Sequence, residues 1–223
     1  SQTVGMLADV AAQYPQIQTT FDEASKVLGY DLWELVQNGP EEQLNDTRKT
    51  QPALLTASVA LFRVAKENGL GDVNAMAGHS LGEYSALVCA GVINFADAVR
   101  LVALRGEAMQ GAVAPGVGAM AAVIGLDDDQ IAEICQQQAE DEVVTPVNYN
   151  SPGQVVIAGH KDAVARAAEA LKAAGAKRVL PLPVSVPSHC ELMKPAAEQL
   201  RAALKNVDFN TPTVAVINNV DVS

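Results

Sequence analysis

The stretch of this chain best suited to covalent chemistry is Gly78-His79-Ser80-Leu81-Gly82. It is a G-x-S-x-G pattern that reads as a nucleophile elbow, in which a tight strand-to-helix turn holds the serine in a strained backbone and lifts its hydroxyl clear of a sheet. The pattern alone arises by chance in roughly one chain in fifteen of this length at ordinary Gly and Ser frequencies, so its flanks carry the weight. An apolar run over residues 73–77 precedes it, and a helix-compatible run over residues 83–90 follows. Gly78 and Gly82 are expected to be glycines because a side chain two residues either side of the bend would strike neighbouring backbone. Leu81 falls at the first turn of the helix, where an unpaired N–H can face an oxyanion. The competing reading is a glycine-bracketed turn with a solvated serine.

A serine nucleophile needs a base, and the chain offers three histidines. His79 adjoins Ser80, but side chains of adjacent residues diverge, so it reads as a packing residue. His160 ends a strand where a helix begins, and a structural role at the helix entry suffices. His189 lies in Pro187-Ser188-His189-Cys190, on a loop. Loops at the ends of scaffold strands concentrate catalytic groups, so elimination favours His189. Cys190 beside it reads as a small half-buried thiol. Arg105 sits within an apolar helical stripe of Ala98, Leu101, Val102 and Met109. Burying a guanidinium is expensive unless a carboxylate or phosphate meets it. Periodicity alone leaves open whether Arg105 snorkels out, pairs with a structural acid or grips a ligand. Arg100, off that stripe, is expected to be solvated.

The elements that must position these residues follow in order. Helix-compatible stretches cover residues 6–12, 21–28, 31–37 and 41–44. Thr50-Gln51-Pro52 then starts a helix with proline near its first turn, and Leu54, Leu55, Ala57, Leu61, Val64 and Ala65 make it apolar on more than one face. After the elbow helix, residues 95–110 form the helix that carries Arg105. From Gly118 the pattern becomes strand 119–124, a helix capped within Asp127-Asp128-Asp129, strand 143–149, the turn Ser151-Pro152-Gly153, strand 154–158, helix 162–174 and strand 178–182. This β-α-β-β-α-β order is the ferredoxin-like split unit. It reads as an insertion over residues 115–184, since the chain returns to loop, helix (194–204) and strand (214–217).

Composition bounds the rest. The 223 residues are 49% hydrophobic and 4% aromatic, so the core is built from Ala, Val, Leu and Ile. With 26 acidic against 15 basic residues the net charge is -11, which argues against nucleic acid or an anionic membrane as partner. An anionic ligand therefore needs local cations. Cys89, Cys135 and Cys190 are an odd number with no C-x-x-C pair, which argues against a disulfide framework and for a reducing compartment, by default the cytoplasm. No apolar run is long enough to span a membrane and no signal pattern opens the chain. The histidines and acids form no dense cluster that would hold a metal.

Several motifs together resemble the malonyl-CoA:acyl carrier protein transacylases of bacterial fatty-acid synthesis. They are Gly78-His79-Ser80-Leu81-Gly82-Glu83-Tyr84, Gln51-Pro52-Ala53 upstream, Arg105, Asn148-x-Asn150-Ser151-Pro152-Gly153-Gln154, and Val186-Pro187-Ser188-His189. The resemblance covers essentially the whole chain. It implies an α/β-hydrolase-like large domain (residues 1–114 and 185–223) with a ferredoxin-like small domain (115–184) and an active site in the cleft between them. The family's nucleophile matches Ser80, its base His189, its oxyanion donor the Leu81 N–H, and its malonyl-gripping arginine Arg105. Asn150, Gln154, Lys177 and Arg178 match positions that hold the CoA or phosphopantetheine arm, and Lys177-Arg178 is the candidate contact for an acidic carrier protein. The implied protein is a monomer without a cofactor, its partners being malonyl-CoA and acyl carrier protein. The family opens with a strand ending Gly-Gln-Gly-Ser-Gln, of which Ser1-Gln2 remains, and continues past Ser223 to a residue that orients the histidine. The expectation is a sequence truncated at both ends. Alternative readings are a serine hydrolase or thioesterase acting on acyl thioesters, and a catalytically silent carrier-protein-binding fragment.

Overall fold

The computed structural model describes residues 2–184 and 186–223, so Ser1 of the Ser1-Gln2 remnant and Ser185, first residue of the returning segment, lie outside the described residues. In chain order the elements are α1 (Ala8–Gln13), α2 (Gln16–Leu28), α3 (Leu32–Asn38), α4 (Glu41–Leu44), α5 (Thr47–Glu67), β1 (Ala75–Ala77), α6 (Leu81–Cys89) and α7 (Phe95–Gly111). Then come β2 (Gly118–Ile124), α8 (Asp128–Ala139), β3 (Val144–Ser151), β4 (Gln154–His160), α9 (Lys161–Ala173), β5 (Arg178–Pro181), a 3-10 turn (Glu191–Met193), α10 (Lys194–Leu204) and β6 (Ala215–Ile217). The protein is α/β, with one parallel and one antiparallel sheet among the described residues. It divides into two compact units, Ser1–Glu107 with Leu200–Ser223, and Ala108–Gln199.

The first unit is mostly helical. Asp46 caps α5, its carboxylate accepting the Arg48 N–H at 2.9 Å, so the helix opens at Thr47 instead of the expected Thr50. Pro52 consequently lies in the second turn, where the helix continues past its missing donor. As the sequence implies, α5 is buried on more than one face, through Gln51, Ala53, Leu55, Thr56, Ala57, Val59, Ala60 and Val64. Leu61 departs from that expectation and is 42% exposed. Helix α5 packs on α2, α4 and α6, closing a core with Ile17, Phe21, Leu32 and Val36, each fully buried. Burying such a side chain contributes about 1.5–3 kcal/mol. On α7, Gly106 admits the first turn of α5, since an added Cβ would lie 2.7 Å from the Thr47 carbonyl oxygen.

Strands β1 and β6 pair in parallel, Ala75 opposite Ala215 and Ala77 opposite Ile217. The segment before β6 is tied to the end of α6, Thr213 N–H donating to Ala90 C=O and Asn210 N–H to Val92 C=O, both at 2.9 Å.

The second unit contains the antiparallel sheet, ordered β3-β4-β2-β5, with α8 and α9 packed on it. Asp127 caps α8 as expected, accepting the Asp129 N–H at 3.1 Å. Ile131, Val155, Ile157, Ala163 and Leu171 fill the core beneath the helices. His160 plays a structural part of a different kind from the one expected. Its side chain makes no cap bond to α9; instead Nδ1 accepts the Val143 N–H at 2.9 Å, fastening the entrance of β3 to the end of β4.

Candidate active site

Local chain geometry presents Ser80. Its backbone adopts φ 55 and ψ −109, a conformation an L-residue holds only under strain of about 1–3 kcal/mol. The bend is closed by Gly82 N–H to His79 C=O at 2.9 Å and Glu83 N–H to Ser80 C=O at 3.2 Å. A Cβ on Gly78 would lie 1.9 Å from the Gly82 carbonyl carbon, so glycine is obligatory there. At Gly82 the expectation fails: a Cβ would meet nothing within 4 Å, because it is Gly82's backbone, not its missing side chain, that fills the space beside Gly78. Helix α6 begins at Leu81, the first-turn position expected of that residue, ahead of the helix-compatible run over residues 83–90. The Leu81 N–H is thus a first-turn donor, with no helical carbonyl behind it to accept.

A side chain absent from the sequence reading also holds the bend. Asn219 Oδ1 accepts the Ser80 N–H at 2.6 Å, and Asn219 Nδ2 donates to the Gly78 C=O at 2.6 Å. The Asn219 N–H donates to Glu83 Oε2 at 2.9 Å. The only local signal is an asparagine two residues past a short apolar strand, which by itself reads as a turn.

Arg105 reaches the serine from α7. Nη2 donates to Ser80 Oγ at 3.1 Å and Nη1 to Gln51 Oε1 at 2.7 Å. Gln51 is 5% exposed and donates from Nε2 to Thr47 Oγ1 at 3.1 Å, so a hydrogen-bonded chain runs from the first turn of α5 through the guanidinium to the hydroxyl. The Tyr84 ring lies 5.8 Å from the guanidinium carbon. Burial pulls the Arg105 pKa below its ordinary value and raises that of Tyr84, the charge of Arg105 partly offsetting the latter. Among the described residues no carboxylate pairs with Arg105, which therefore brings an unneutralised positive charge to the nucleophile's side. Arg100, in contrast, is exposed and pairs with Asp97 at 2.6 Å.

His189 belongs to the second unit, in the loop before the 3-10 turn, exposed and at φ 66. Its neighbours fix that loop. Pro187 is seated on Gly118, where an added Cβ would lie 2.3 Å from the proline ring, and Cys190 Sγ donates to the Pro187 C=O at 3.1 Å. Cys190 is buried, and burial raises its pKa.

The remaining candidates gather at the other end of the same sheet. Gln154 and Arg178 flank Ile124 in register, and the Lys177 N–H donates to the Ile124 C=O at 2.8 Å. Asn150 lies in the irregular pairing just before the β3–β4 turn. Pro187 packs instead at Gly118, the opposite end of β2, six residues and roughly 20 Å away at 3.3 Å per residue. The structure therefore groups Asn150, Gln154, Lys177 and Arg178 with one another and separates them from the end of β2 on which Pro187 rests.

Known proteins resemble the chain along its whole length. The model of the acyl transferase domain matches residues 1–223. The malonyl CoA-acyl carrier protein transacylase of Escherichia coli K12 is 69% identical over 222 residues, covering 100% of this chain and 72% of its relative. The crystal structure of an acyl carrier protein S-malonyltransferase from Vibrio cholerae superposes with a TM-score of 0.97 at 64% identity, over 100% of this chain and 73% of the other. A malonyl-transacylase solved in complex with its type II polyketide acyl-carrier protein superposes at 0.98 with 62% identity, over 100% and 72%.

Proposed function

The chain belongs to the acyl transferase domain family, among its malonyl-CoA–acyl carrier protein transacylases, and we propose that it moves a malonyl group from malonyl-CoA to the phosphopantetheine thiol of acyl carrier protein. In this reading Ser80 Oγ gives its proton to His189 and attacks the thioester carbonyl. The Leu81 N–H stabilises the oxyanion, the C–S bond breaks, and CoA thiolate takes the proton back from the imidazolium. A malonyl-serine ester remains. The carrier protein's thiol then loses its proton to His189, attacks the ester carbonyl, and Ser80 leaves with that proton, a ping-pong cycle. No cofactor is needed, because the donor is already activated as a thioester.

The observation that carries this reading is the guanidinium of Arg105 beside Ser80, fixed on its other side by Gln51 and without a carboxylate partner among the described residues. A malonyl group on Oγ has its free carboxylate carbon three bonds from that oxygen, within about 4 Å. A guanidinium already 3.1 Å from Oγ is placed for that charge, and its planar fork favours a carboxylate over a neutral methyl group. Lys177 and Arg178, with Asn150 and Gln154, would hold the far part of the CoA or phosphopantetheine arm, and Lys177-Arg178 the acidic carrier protein.

The same proposal includes a large hydrolase-like domain of residues 1–114 and 185–223 and a ferredoxin-like domain of residues 115–184. The order β3-β4-β2-β5 supports the latter, being that of a split β-α-β unit. The reaction belongs in the cytoplasm, which suits a protein in which no helix among the described residues is long and apolar enough to cross a membrane. The test is mass spectrometry of the intact protein after brief exposure to malonyl-CoA. A malonyl adduct that maps to Ser80, disappears in Ser80→Ala and is discharged by the carrier protein's thiol is expected. No adduct, or one on another residue, overturns the reading.

A further inference from the structure

Beyond the nucleophile, base and carboxylate anchor, we propose that Asn219 is a positioning residue of the reaction, its carboxamide acting as a substitute rung of the parallel sheet that locks the nucleophile's bend. This rests on the reading of Ser80 as nucleophile. The register of β1 and β6 supplies the argument. Ala77 faces Ile217, so two steps further His79 falls opposite Asn219. In a parallel ladder the residue opposite position i accepts from the N–H of i+1 and donates to the C=O of i−1. For His79 those groups are the Ser80 N–H and the Gly78 C=O.

They are the two groups that the Asn219 side chain engages, Oδ1 accepting from Ser80 and Nδ2 donating to Gly78, each at 2.6 Å. Past Ala77 the main chain leaves the strand path to make the bend, and backbone pairing ends at Ile217. The carboxamide has the donor and acceptor of a peptide group on a short tether, so it continues the ladder one rung beyond the backbone. Glu83, on the first turn of α6, accepts the Asn219 N–H at 2.9 Å and holds the clamp from the other side of the bend.

Two consequences follow for catalysis. The peptide plane between His79 and Ser80 is fixed, and with it the directions of Oγ and of the Leu81 N–H. The Ser80 N–H is consumed by the clamp, so the Leu81 N–H is the elbow's donor to the oxyanion. Loosening the clamp lets the strained Ser80 relax, and a displacement of about 1 Å at a reacting group costs on the order of a hundredfold in rate.

The experiment compares Asn219→Ala and Asn219→Asp with the parent protein by rate of malonyl-Ser80 formation, KM for malonyl-CoA, and thermal melting. Asn219→Ala is expected to slow acylation by roughly 10- to 100-fold with KM changed by less than about threefold. Asn219→Asp keeps the acceptor for Ser80 and sets a second lone pair against the Gly78 carbonyl. Its protonated form regains a donor, so its rate relative to the parent should rise as pH falls below about 6. Absence of a Ser80 adduct in the parent protein would overturn the nucleophile reading itself. A parent that acylates normally, beside an Asn219→Ala variant of equal rate, would overturn the clamp alone. So would an Asn219→Asp variant whose relative rate is independent of pH, or variants whose lost activity matches their lost folded fraction.

Discussion

In the proposed reading the Arg105 guanidinium, beside the Ser80 hydroxyl and with neutral hydrogen-bond partners, is the receptor for the malonyl carboxylate. The Gln51 amide fixes one arm of that guanidinium at 2.7 Å. Arg105→Ala is expected to lower kcat/KM for malonyl-CoA by roughly 10- to 150-fold, the value of one charge-assisted hydrogen bond. The same variant should handle acetyl-CoA as well as or better than the parent. Equal loss with both donors, measured by transfer assay, would remove the carboxylate role. Lysine at this position should restore little, since a point charge lacks the planar fork. The thiols do not compete with Ser80, because burial pushes Cys89 up to about 11 and Cys135 up to about 12. They stay protonated at neutral pH and are poor nucleophiles.

At the scale of elements, the receptor depends on how closely α7 meets the start of α5. Gly106→Ala would place a methyl 2.7 Å from the Thr47 carbonyl oxygen, forcing the helices apart one turn before Gln51, the residue that reaches Arg105. A loss of about 1–3 kcal/mol by denaturant titration is expected, with a larger KM for malonyl-CoA than for acetyl-CoA. The cap of α5 adds a pH dependence. The hydrogen bond from the Arg48 side chain, chiefly, holds Asp46 below the ordinary carboxylate range. A depressed folded pKa contributes stability above the unfolded value, about 3.9, and that contribution vanishes as pH falls through the folded one. Asp46→Asn keeps a cap acceptor and drops the charge, so its deficit in Tm relative to the parent should shrink on acidification below about pH 4. A deficit constant with pH would assign the whole effect to capping. The elbow itself is a matter of element geometry. Gly78→Ala has no room for its methyl, and no adduct on Ser80 is expected from that variant.

At the scale of the whole molecule, the described residues of each unit hold a large apolar core, one around Phe21, Leu55 and Val102, the other around Val155, Ile157 and Leu171. Leu55→Ala and Ile157→Ala should each cost about 2–5 kcal/mol. If each core is its own cooperative unit, hydrogen exchange should quicken in the unit that holds the substitution and not in the other. Parallel acceleration in both would mean one block. Much of this was legible in the sequence because the rules involved are local. The elbow follows from Gly78 and Ser80, the cap of α8 from Asp127, and the β-α-β-β-α-β order from alternating periodicities. Local signals failed where two competed: Pro52 reads as a helix start, while Asp46 supplied the cap and moved that start to Thr47. By itself, then, the sequence determined where a strained serine would stand and which helix would carry a costly arginine. Only the tertiary structure decided their partners, Gln51 lying 54 residues from Arg105 and Asn219 lying 139 from Ser80. Turn and helix chemistry acts over a few residues, whereas the partner of a buried polar group is whichever distant side chain packing brings within hydrogen-bond reach.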